Sequence, residues 1–365
     1  MKAIVVAGGT GGHIYPAVAI INKIKEMEKN SKILYIGTTD RMEKDIIPKM
    51  GIDFVGIPMR GLNREKIFSN FKVVGMYMAA LSKAKKIIKD FDPDIVIGAG
   101  GYISAPVLYE AKKLGYKCVI HEQNSIPGLS NKFLSRIVDK VCVSLPDSIK
   151  YFDKNKVVYT GNPRSEEIAT VLKRSKSDLG FTANRKLVVI VMGSLGSSTM
   201  TLKIKELIPK FRDKNYQVLI VTGNGYFDQY KDVDTPSNVK IVPFLNDFIS
   251  VLKDSDLIVS RAGASTISEI TSIGLPSILV PSPYVTGNHQ YMNAKELETN
   301  GACVLIEEKN FSSDKIILEI DKLFNNKIIY DKMKRDSRKL GVSDSATRIY
   351  KEIRKLIGED NGSSN

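Results

Sequence analysis

One pattern in this chain restricts its fold more than any other, and it runs twice. Short β-branched runs, each of a length for one buried strand, end in glycine or small polar residues and give way to longer amphipathic stretches. In the first half the strand-like runs are residues 2–7, 33–37, 95–98, 118–121, 140–143 and 157–160, with helical spacing between them over stretches such as 16–29 and 105–114. Apolar runs without polar alternation belong to strands buried on both faces, so the pattern predicts an α/β fold with a parallel sheet covered by helices. It restarts at 186–192 and continues through 217–222, 239–243, 257–260, 277–280 and 303–306. Gly161-Asn162-Pro163 breaks the periodicity and puts the boundary between an N-terminal domain, 1–163, and a C-terminal domain, 164–343. A length of 365 residues gives room for two such cores. The last amphipathic stretch, 344–357, carries Ala346, Ile349, Tyr350, Ile353 and Ile357 at helical spacing. It is expected to pack back on the first domain, ahead of a loose tail at 358–365.

Rossmann-like sheets bind ligands beyond the carboxyl ends of their strands, so the chemistry is expected in the loops after strands, where the two domains face across a cleft. Three of these loops are glycine-rich: Gly8-Gly9-Thr10-Gly11-Gly12-His13, Gly98-Ala99-Gly100-Gly101-Tyr102 and Gly193-Ser194-Leu195-Gly196-Ser197-Ser198. Such loops let backbone approach a ligand and aim helix N-termini at negative charge. The first leads to a helix expected to open near Pro16. It departs from the G-x-G-x-x-G spacing, and no ribose-binding acid closes the following strand, which disfavours a nicotinamide enzyme. His121-Glu122-Gln123-Asn124 ends another strand with consecutive polar side chains. In the second half, Arg261-Ala262-Gly263-Ala264-Ser265-Thr266 makes a small-residue turn into a helix that carries Glu269, suited to a diphosphate and to ribose hydroxyls.

Lys and Arg number 54 against 40 Asp and Glu, for a net charge of +14. That balance suits an anionic membrane or polyanionic small molecules, while the absence of zinc-finger spacing, RNP-type strands or a dense basic helix argues against nucleic acid. Cys118, Cys142 and Cys303 are widely spaced in apolar runs and fit neither a disulfide framework nor a metal cluster, pointing to a reducing cytoplasm. The first apolar run is too short for a secretory signal core, and no run reaches the roughly 18 apolar residues of a membrane span. Residues 60–90 hold Arg60, Arg64, Lys66, Lys72, Lys83, Lys85, Lys86 and Lys89 against Glu65 and Asp90, interleaved with Ile67, Phe68, Phe71, Val74, Met78 and other apolar residues. That mixture suits peripheral docking on anionic lipid, each nearby charge contributing about 1 kcal/mol.

In order, GGTGGH, GAGGY, HEQN, GNP, GSLGS, RAGASTISE, GLP and NHQYMNA resemble the MurG family over nearly the whole chain, from residue 2 to about 357. These are UDP-N-acetylglucosamine–N-acetylmuramyl-(pentapeptide) pyrophosphoryl-undecaprenol N-acetylglucosamine transferases of the GT-B fold. The resemblance implies transfer of N-acetylglucosamine from UDP-N-acetylglucosamine to the muramyl 4-hydroxyl of a polyprenyl-linked muramyl pentapeptide. It also implies a peripheral place on the cytoplasmic face of the cell membrane, among anionic inner-leaflet lipids. Carried over by position, Thr10, Gly11, Gly12, Asn124, Arg164, Ser194, Leu245, Ala264, Ser265, Thr266, Glu269 and Gln290 would contact the donor. Tyr102, His121 and Asn131 are the acceptor-side candidates. Two departures stand out: the chain has Gly161-Asn162-Pro163-Arg164 where the family often has a valine before the arginine, and Ser197 where many members have alanine.

An inverting displacement needs a base for the acceptor hydroxyl and stabilisation of the departing UDP. His13 is the first candidate base and Glu122 the second. Asp254-Ser255-Asp256 imitates the D-x-D metal motif, but it precedes a strand and so lies at the end away from the ligands; no metal or other cofactor is expected. The competing readings are a UDP-N-acetylglucosamine 2-epimerase, another UDP-sugar-dependent lipid glycosyltransferase, and a non-catalytic nucleotide-sugar binding module.

Overall fold

The structure is a computed structural model that describes residues 1–61, 70–193 and 196–358. The chain divides into two compact units, one made of Met1–Arg164 together with the segment from Asp344 onward, the other of Ser165–Ser343.

The first unit is built on seven parallel strands: β1 (Lys2–Val6), β2 (Lys32–Thr38), β3 (Asp53–Ile57), β4 (Ile95–Gly98), β5 (Lys117–Glu122), β6 (Lys140–Val143) and β7 (Val157–Tyr159). They lie in the order β3-β2-β1-β4-β5-β6-β7. Alternation along β1 explains why its run is apolar throughout. Ile4 and Val6 join Ile36, Leu108 and Ile120 on one face of the sheet, and Ala3 and Val5 join Ile14, Ile20 and Ile24 on the other. All four β1 residues are fully buried, and each isoleucine so placed contributes about 1.5–3 kcal/mol over an exposed one.

Two local features depart from the expectations. β3 interrupts its apolar residues with Asp53 and Gly56 and pairs only with β2, so as an edge strand it needs no continuous run. The first helix spans Gly11–Met27, beginning five residues before Pro16. Thr10 caps it in extended conformation, and its carbonyl accepts from the N–H groups of His13 (3.0 Å) and Ile14 (3.1 Å). His13 therefore stands in the first helical turn, not in the loop ahead of it.

The helix Ser345–Leu356 belongs to this first unit. Ile349 and Ile353 enter the cluster of Ala3, Val5 and Ile24. The Tyr350 hydroxyl donates to Glu28 at 2.9 Å, and Arg354 pairs with the same carboxylate.

The second unit repeats the plan with β8 (Lys186–Val191), β9 (Tyr216–Val221), β10 (Val239–Val242), β11 (Leu257–Ser260), β12 (Ser277–Leu279) and β13 (Val304–Leu305) in the order β10-β9-β8-β11-β12-β13. In each sheet the strand order reverses beside the opening strand, between β1 and β4 in one and β8 and β11 in the other. Open α/β sheets take ligands at such a switch point. The glycine loops 8–13 and 98–101, and 193–198 with 261–264, follow those four strands.

Candidate active site

At the switch point of the first unit the two glycine loops pack on each other. A Cβ on Gly101 would lie 2.4 Å from the Gly8 carbonyl oxygen, and one on Gly100 would lie 2.5 Å from Cδ2 of His13. Both residues also hold positive φ, +87° and +100°, which L side chains resist. The second glycine cluster is thus explained by close approach to the first loop and to the His13 ring. His13 Nδ1 lies 3.1 Å from the Gly8 carbonyl and 3.4 Å from the Thr10 hydroxyl. Because a carbonyl only accepts, the first contact puts the hydrogen of the neutral ring on Nδ1 and the lone pair on Nε2.

The polar run at the end of β5 turns inward. His121 is fully buried. Its Nε2 is shared between the Gly161 carbonyl and the Ser144 hydroxyl, each at 3.2 Å, and its Nδ1 accepts from the Gln123 amide at 3.1 Å. Gln123 in turn donates to the Ala99 carbonyl at 2.8 Å. Burial pushes the His121 pKa down to about 4, and the nearby His13 lowers it further. His121 is an uncharged strut between GNP and HEQN, which corrects its placement among acceptor contacts.

Glu122 is also taken up. One of its oxygens accepts from the Asn124 backbone (2.9 Å) and side chain (3.2 Å), and the other from the Gly128 N–H (3.1 Å) and the Asn131 amide (2.8 Å). With four donors converging on a carboxylate that is 2% exposed, the group shapes the 124–128 loop and is not presented to an acceptor hydroxyl. Its candidacy as base is corrected on that geometry. Asn131, 3% exposed, also donates to the His121 carbonyl at 3.2 Å and belongs to this scaffold, not to an acceptor surface. Asn124 is half-buried and held by Glu122. Tyr102 is half-buried with its ring against Gly61. Arg164 stacks its guanidinium 5.1 Å from the Tyr15 ring centroid, beside Gly11 and Gly12 at the start of the first helix.

The second unit offers a different edge. Gly193 and Gly196 take positive φ, +98° and +80°; Ser194 lies outside the described residues. Helix Ala264–Ile273 opens after Gly263, with Ala264, Ser265 and Thr266 in its first turn and all three half-buried. No acidic residue stands in that turn, so no carboxylate competes for the backbone N–H groups at the helix start. The Ser265 hydroxyl is buried with no partner, and Glu269 lies one turn on, 9% exposed. Leu245 is half-buried in the loop after β10. The Gln290 carbonyl oxygen accepts from the Ser282 N–H at 2.9 Å, which fixes its side chain beside the loop after β12.

Two residues of these edges are given no role of their own by the sequence reading. Arg261 is 6% exposed and donates to the Val280 carbonyl (3.1 Å) and the Ser197 hydroxyl (3.1 Å) while pairing with Glu308 at 2.6 Å. It ties the third glycine loop to the ends of β11 and β12. Its one available signal was a lone cation directly after a buried strand. Glu43 lies fully buried under the first glycine loop; its stretch, Asp40-Arg41-Met42-Glu43-Lys44-Asp45, reads as a solvated face.

Asp254 and Asp256 stand in the turn before β11. Asp254 pairs with Lys173 at 3.1 Å and accepts the Lys176 N–H at 2.8 Å; Asp256 pairs with the Lys176 ammonium at 2.9 Å and accepts the Leu187 N–H at 2.8 Å. They pin the segment that leads into β8. Among the described residues, no three His, Cys, Asp or Glu side chains converge as a metal site.

Of the basic-apolar stretch 60–90, residues 62–69, with Arg64, Lys66, Ile67 and Phe68, fall outside the described residues. The helix Asn70–Phe91 buries Ala80, Ala84 and Ile88 and exposes Val74, Met78, Lys85, Lys86 and Lys89. Further exposed rings stand in the same unit: Tyr109 and Phe133 at 6.2 Å, and Tyr151 beneath the Lys132 ammonium at 5.3 Å. No helix among the described residues is long and apolar enough to cross a membrane.

Residues 3–143 match the glycosyltransferase family 28 N-terminal domain and residues 187–349 its C-terminal domain. A Bacillus cytotoxicus UDP-N-acetylglucosamine–N-acetylmuramyl-(pentapeptide) pyrophosphoryl-undecaprenol N-acetylglucosamine transferase is 41% identical over 98% of this chain and 100% of its own length. A Bacillus cereus protein of the same description is 42% identical over the same shares. Among solved structures, Acinetobacter baumannii MurG superposes with a TM-score of 0.80 at 24% identity, covering 97% of this chain and 99% of that one. A putative UDP-N-acetylglucosamine 2-epimerase from Listeria monocytogenes reaches 0.75 at 13% identity, over 100% and 98%. At those identities the two structures speak for the fold alone.

Proposed function

The chain belongs to glycosyltransferase family 28, among the UDP-N-acetylglucosamine–N-acetylmuramyl-(pentapeptide) pyrophosphoryl-undecaprenol N-acetylglucosamine transferases, and from that premise we propose its reaction and the residues that carry it. It is a hexosyltransferase. It moves N-acetylglucosamine from UDP-N-acetylglucosamine to the muramyl 4-hydroxyl of the undecaprenyl-pyrophosphoryl pentapeptide, making lipid II and UDP for peptidoglycan. The observation that carries this is identity above 40% over 98% of this chain and the whole of each relative, which the epimerase fold likeness does not approach.

Donor binding falls to the second unit. The N–H groups at the start of helix Ala264–Ile273 hold the diphosphate, and Ser265 and Thr266 add hydroxyls there. Glu269 accepts from the ribose, the Leu245 backbone meets the uracil, and Gln290 reaches the sugar. Ser194 belongs to the same donor set, with Thr10, Gly11, Gly12, Asn124 and Arg164 from the first unit. Charge developing on UDP is met by fixed backbone dipoles, so no metal is needed. His13 takes the acceptor proton at Nε2, the nitrogen its own tautomer leaves with a lone pair. Val74 and Met78, flanked by Lys85, Lys86 and Lys89, support peripheral docking on the anionic inner face of the membrane, where the acceptor resides. Nucleic acid is not part of this reading, since the sequence carries no zinc-finger spacing, RNP-type strand or dense basic helix.

The test is incubation with radiolabelled UDP-N-acetylglucosamine and a muramyl pentapeptide lipid in vesicles, with EDTA throughout. A labelled lipid disaccharide, formed faster on phosphatidylglycerol than on neutral vesicles, is expected. Product only after magnesium is returned would overturn metal independence, and 2-epimerised free donor would overturn the reaction itself.

A further inference from the structure

The reading of His13 as the base gives a use to the buried Glu43. One Glu43 oxygen accepts the Gly9 N–H at 3.2 Å; the other accepts the Thr38 N–H at 3.0 Å and the Thr38 hydroxyl at 2.6 Å. Three donors on two oxygens are the surroundings of a carboxylate. The space around it is kept by two glycines, since a Cβ on Gly8 would lie 2.7 Å from its Oε1 and one on Gly37 would lie 2.6 Å from its Cγ. Gly9 N–H and the Gly8 carbonyl are two ends of one peptide group. The far end of that group is the acceptor for His13 Nδ1, at 3.1 Å.

We propose that Glu43 is a positioning residue for His13, acting through the Gly8–Gly9 peptide as a carboxylate acts directly on histidine in a hydrogen-bonded dyad. This rests on His13 being the base. The carboxylate polarises the peptide, its carbonyl becomes a stronger acceptor, and the Nδ1 hydrogen is held toward it. In the reaction the 4-hydroxyl oxygen bonds to the anomeric carbon and the bond from that carbon to the β-phosphate oxygen breaks, its electron pair leaving with UDP. The hydroxyl proton passes to Nε2. The imidazolium so formed is then stabilised by an anion one peptide away, itself fully buried while the His13 ring is half-buried. His121 is the titratable neighbour of His13, while Tyr35 and Arg41 face Glu43. Of these, His121 is uncharged at neutral pH and the Tyr35 hydroxyl is held protonated by burial. Arg41 is a permanent cation that offsets part of the carboxylate's field without titrating.

The chain has three histidines, His13, His121 and His289, so ¹⁵N-histidine NMR resolves each ring. In the unsubstituted protein, neutral His13 is expected to carry its hydrogen on Nδ1; a ring protonated on Nε2 overturns the proposal without any variant. In Glu43→Gln, which keeps the shape and removes the charge, the His13 midpoint is expected to fall by on the order of half a unit to one unit. The acid limb of the kcat/KM profile should move with it. Turnover should drop about 10–100-fold with the KM for UDP-N-acetylglucosamine unchanged, and Glu43→Asp should recover part of it. An unmoved His13 midpoint in folded Glu43→Gln overturns the relay. Full turnover by His13→Ala would instead sink the base reading, a failure told apart because the NMR midpoint needs no turnover.

Discussion

The two units share one strand order about their opening strands, yet their ligand edges are made of different material. The first edge is a side-chain network, closed save for the buried Asn131 Oδ1: His121, Glu122, Gln123 and Asn131 bond to one another and to loop backbone, and Glu43 does the same beneath Gly8 and Gly9. The second edge is open backbone, a helix start with alanine, serine and threonine in its first turn and a buried hydroxyl left unpaired. A fixed anion such as a diphosphate is met well by N–H groups that need no side chains. A proton in transit needs an imidazole held in one tautomer, and that takes second partners, which take partners of their own. The same sheet plan therefore carries two kinds of edge by changing what fills its loops.

The largest expected break in this comparison is Glu122→Ala set beside Ser265→Ala. Removing the buried Glu122 leaves four donors without their acceptor, the buried Asn131 amide among them, so urea unfolding should show a loss of about 3–5 kcal/mol in the first unit, and transfer should fail with it. Ser265→Ala removes a hydroxyl with no partner and should leave stability within about 0.5 kcal/mol, raising only the KM for the donor, by about fivefold. Equal stability losses in the two variants would erase the distinction between closed and open edges.

A smaller effect sharpens it through pH. The His121 pKa is about 4 folded against 6.5 for the free side chain, so between these values the unfolded chain binds the extra proton. The stabilisation is whole above the unfolded pKa, about 3 kcal/mol, and is lost as pH falls from about 6.5 toward 4. Urea denaturation at pH 7 and pH 5 should show about 2 kcal/mol of that loss, and His121→Gln should flatten it. A profile equally steep in the variant would assign the acid sensitivity to other groups.

The smallest effect separates two glycines. Gly100→Ala forces positive φ and pushes its methyl into the His13 ring, for about 1–3 kcal/mol and a clear loss of turnover. Gly263 has φ −69° and open space around its Cβ position, so alanine there should cost under about 1 kcal/mol. Thermal melts with turnover assays read both, and a Gly263→Ala loss as large as that of Gly100→Ala would show the second edge to be packed after all.

The sheets were legible because strands buried on both faces leave continuous apolar runs, as β1, β4, β6 and β11 do. β3 was not, since an edge strand tolerates Asp53 and Gly56. The start of the first helix was misread because Gly11 and Gly12 are poor helix formers while Pro16 is a familiar opener; the contacts of Thr10 and His13 decide the matter. Site motifs were legible as clusters of residue types, but not by direction. His121 and Glu122 read alike with Asn124 in sequence, and only the fold turns the first two inward. Glu43 was illegible for a plainer reason: it lies 34 residues from Gly9, in a charged stretch that looks wet.

The helix Ser345–Leu356 has a consequence for how the protein comes into being. Ile349 and Ile353 complete a cluster begun by Ala3 and Val5, so the first unit waits on a piece of chain made after the whole of Ser165–Ser343. During synthesis the second unit can mature as it emerges, while the first lacks Ile349 and Ile353 from the cluster over Ala3 and Val5 until that later segment has been made. For that interval the gap in this cluster is where the first unit of the nascent chain is open to misassembly.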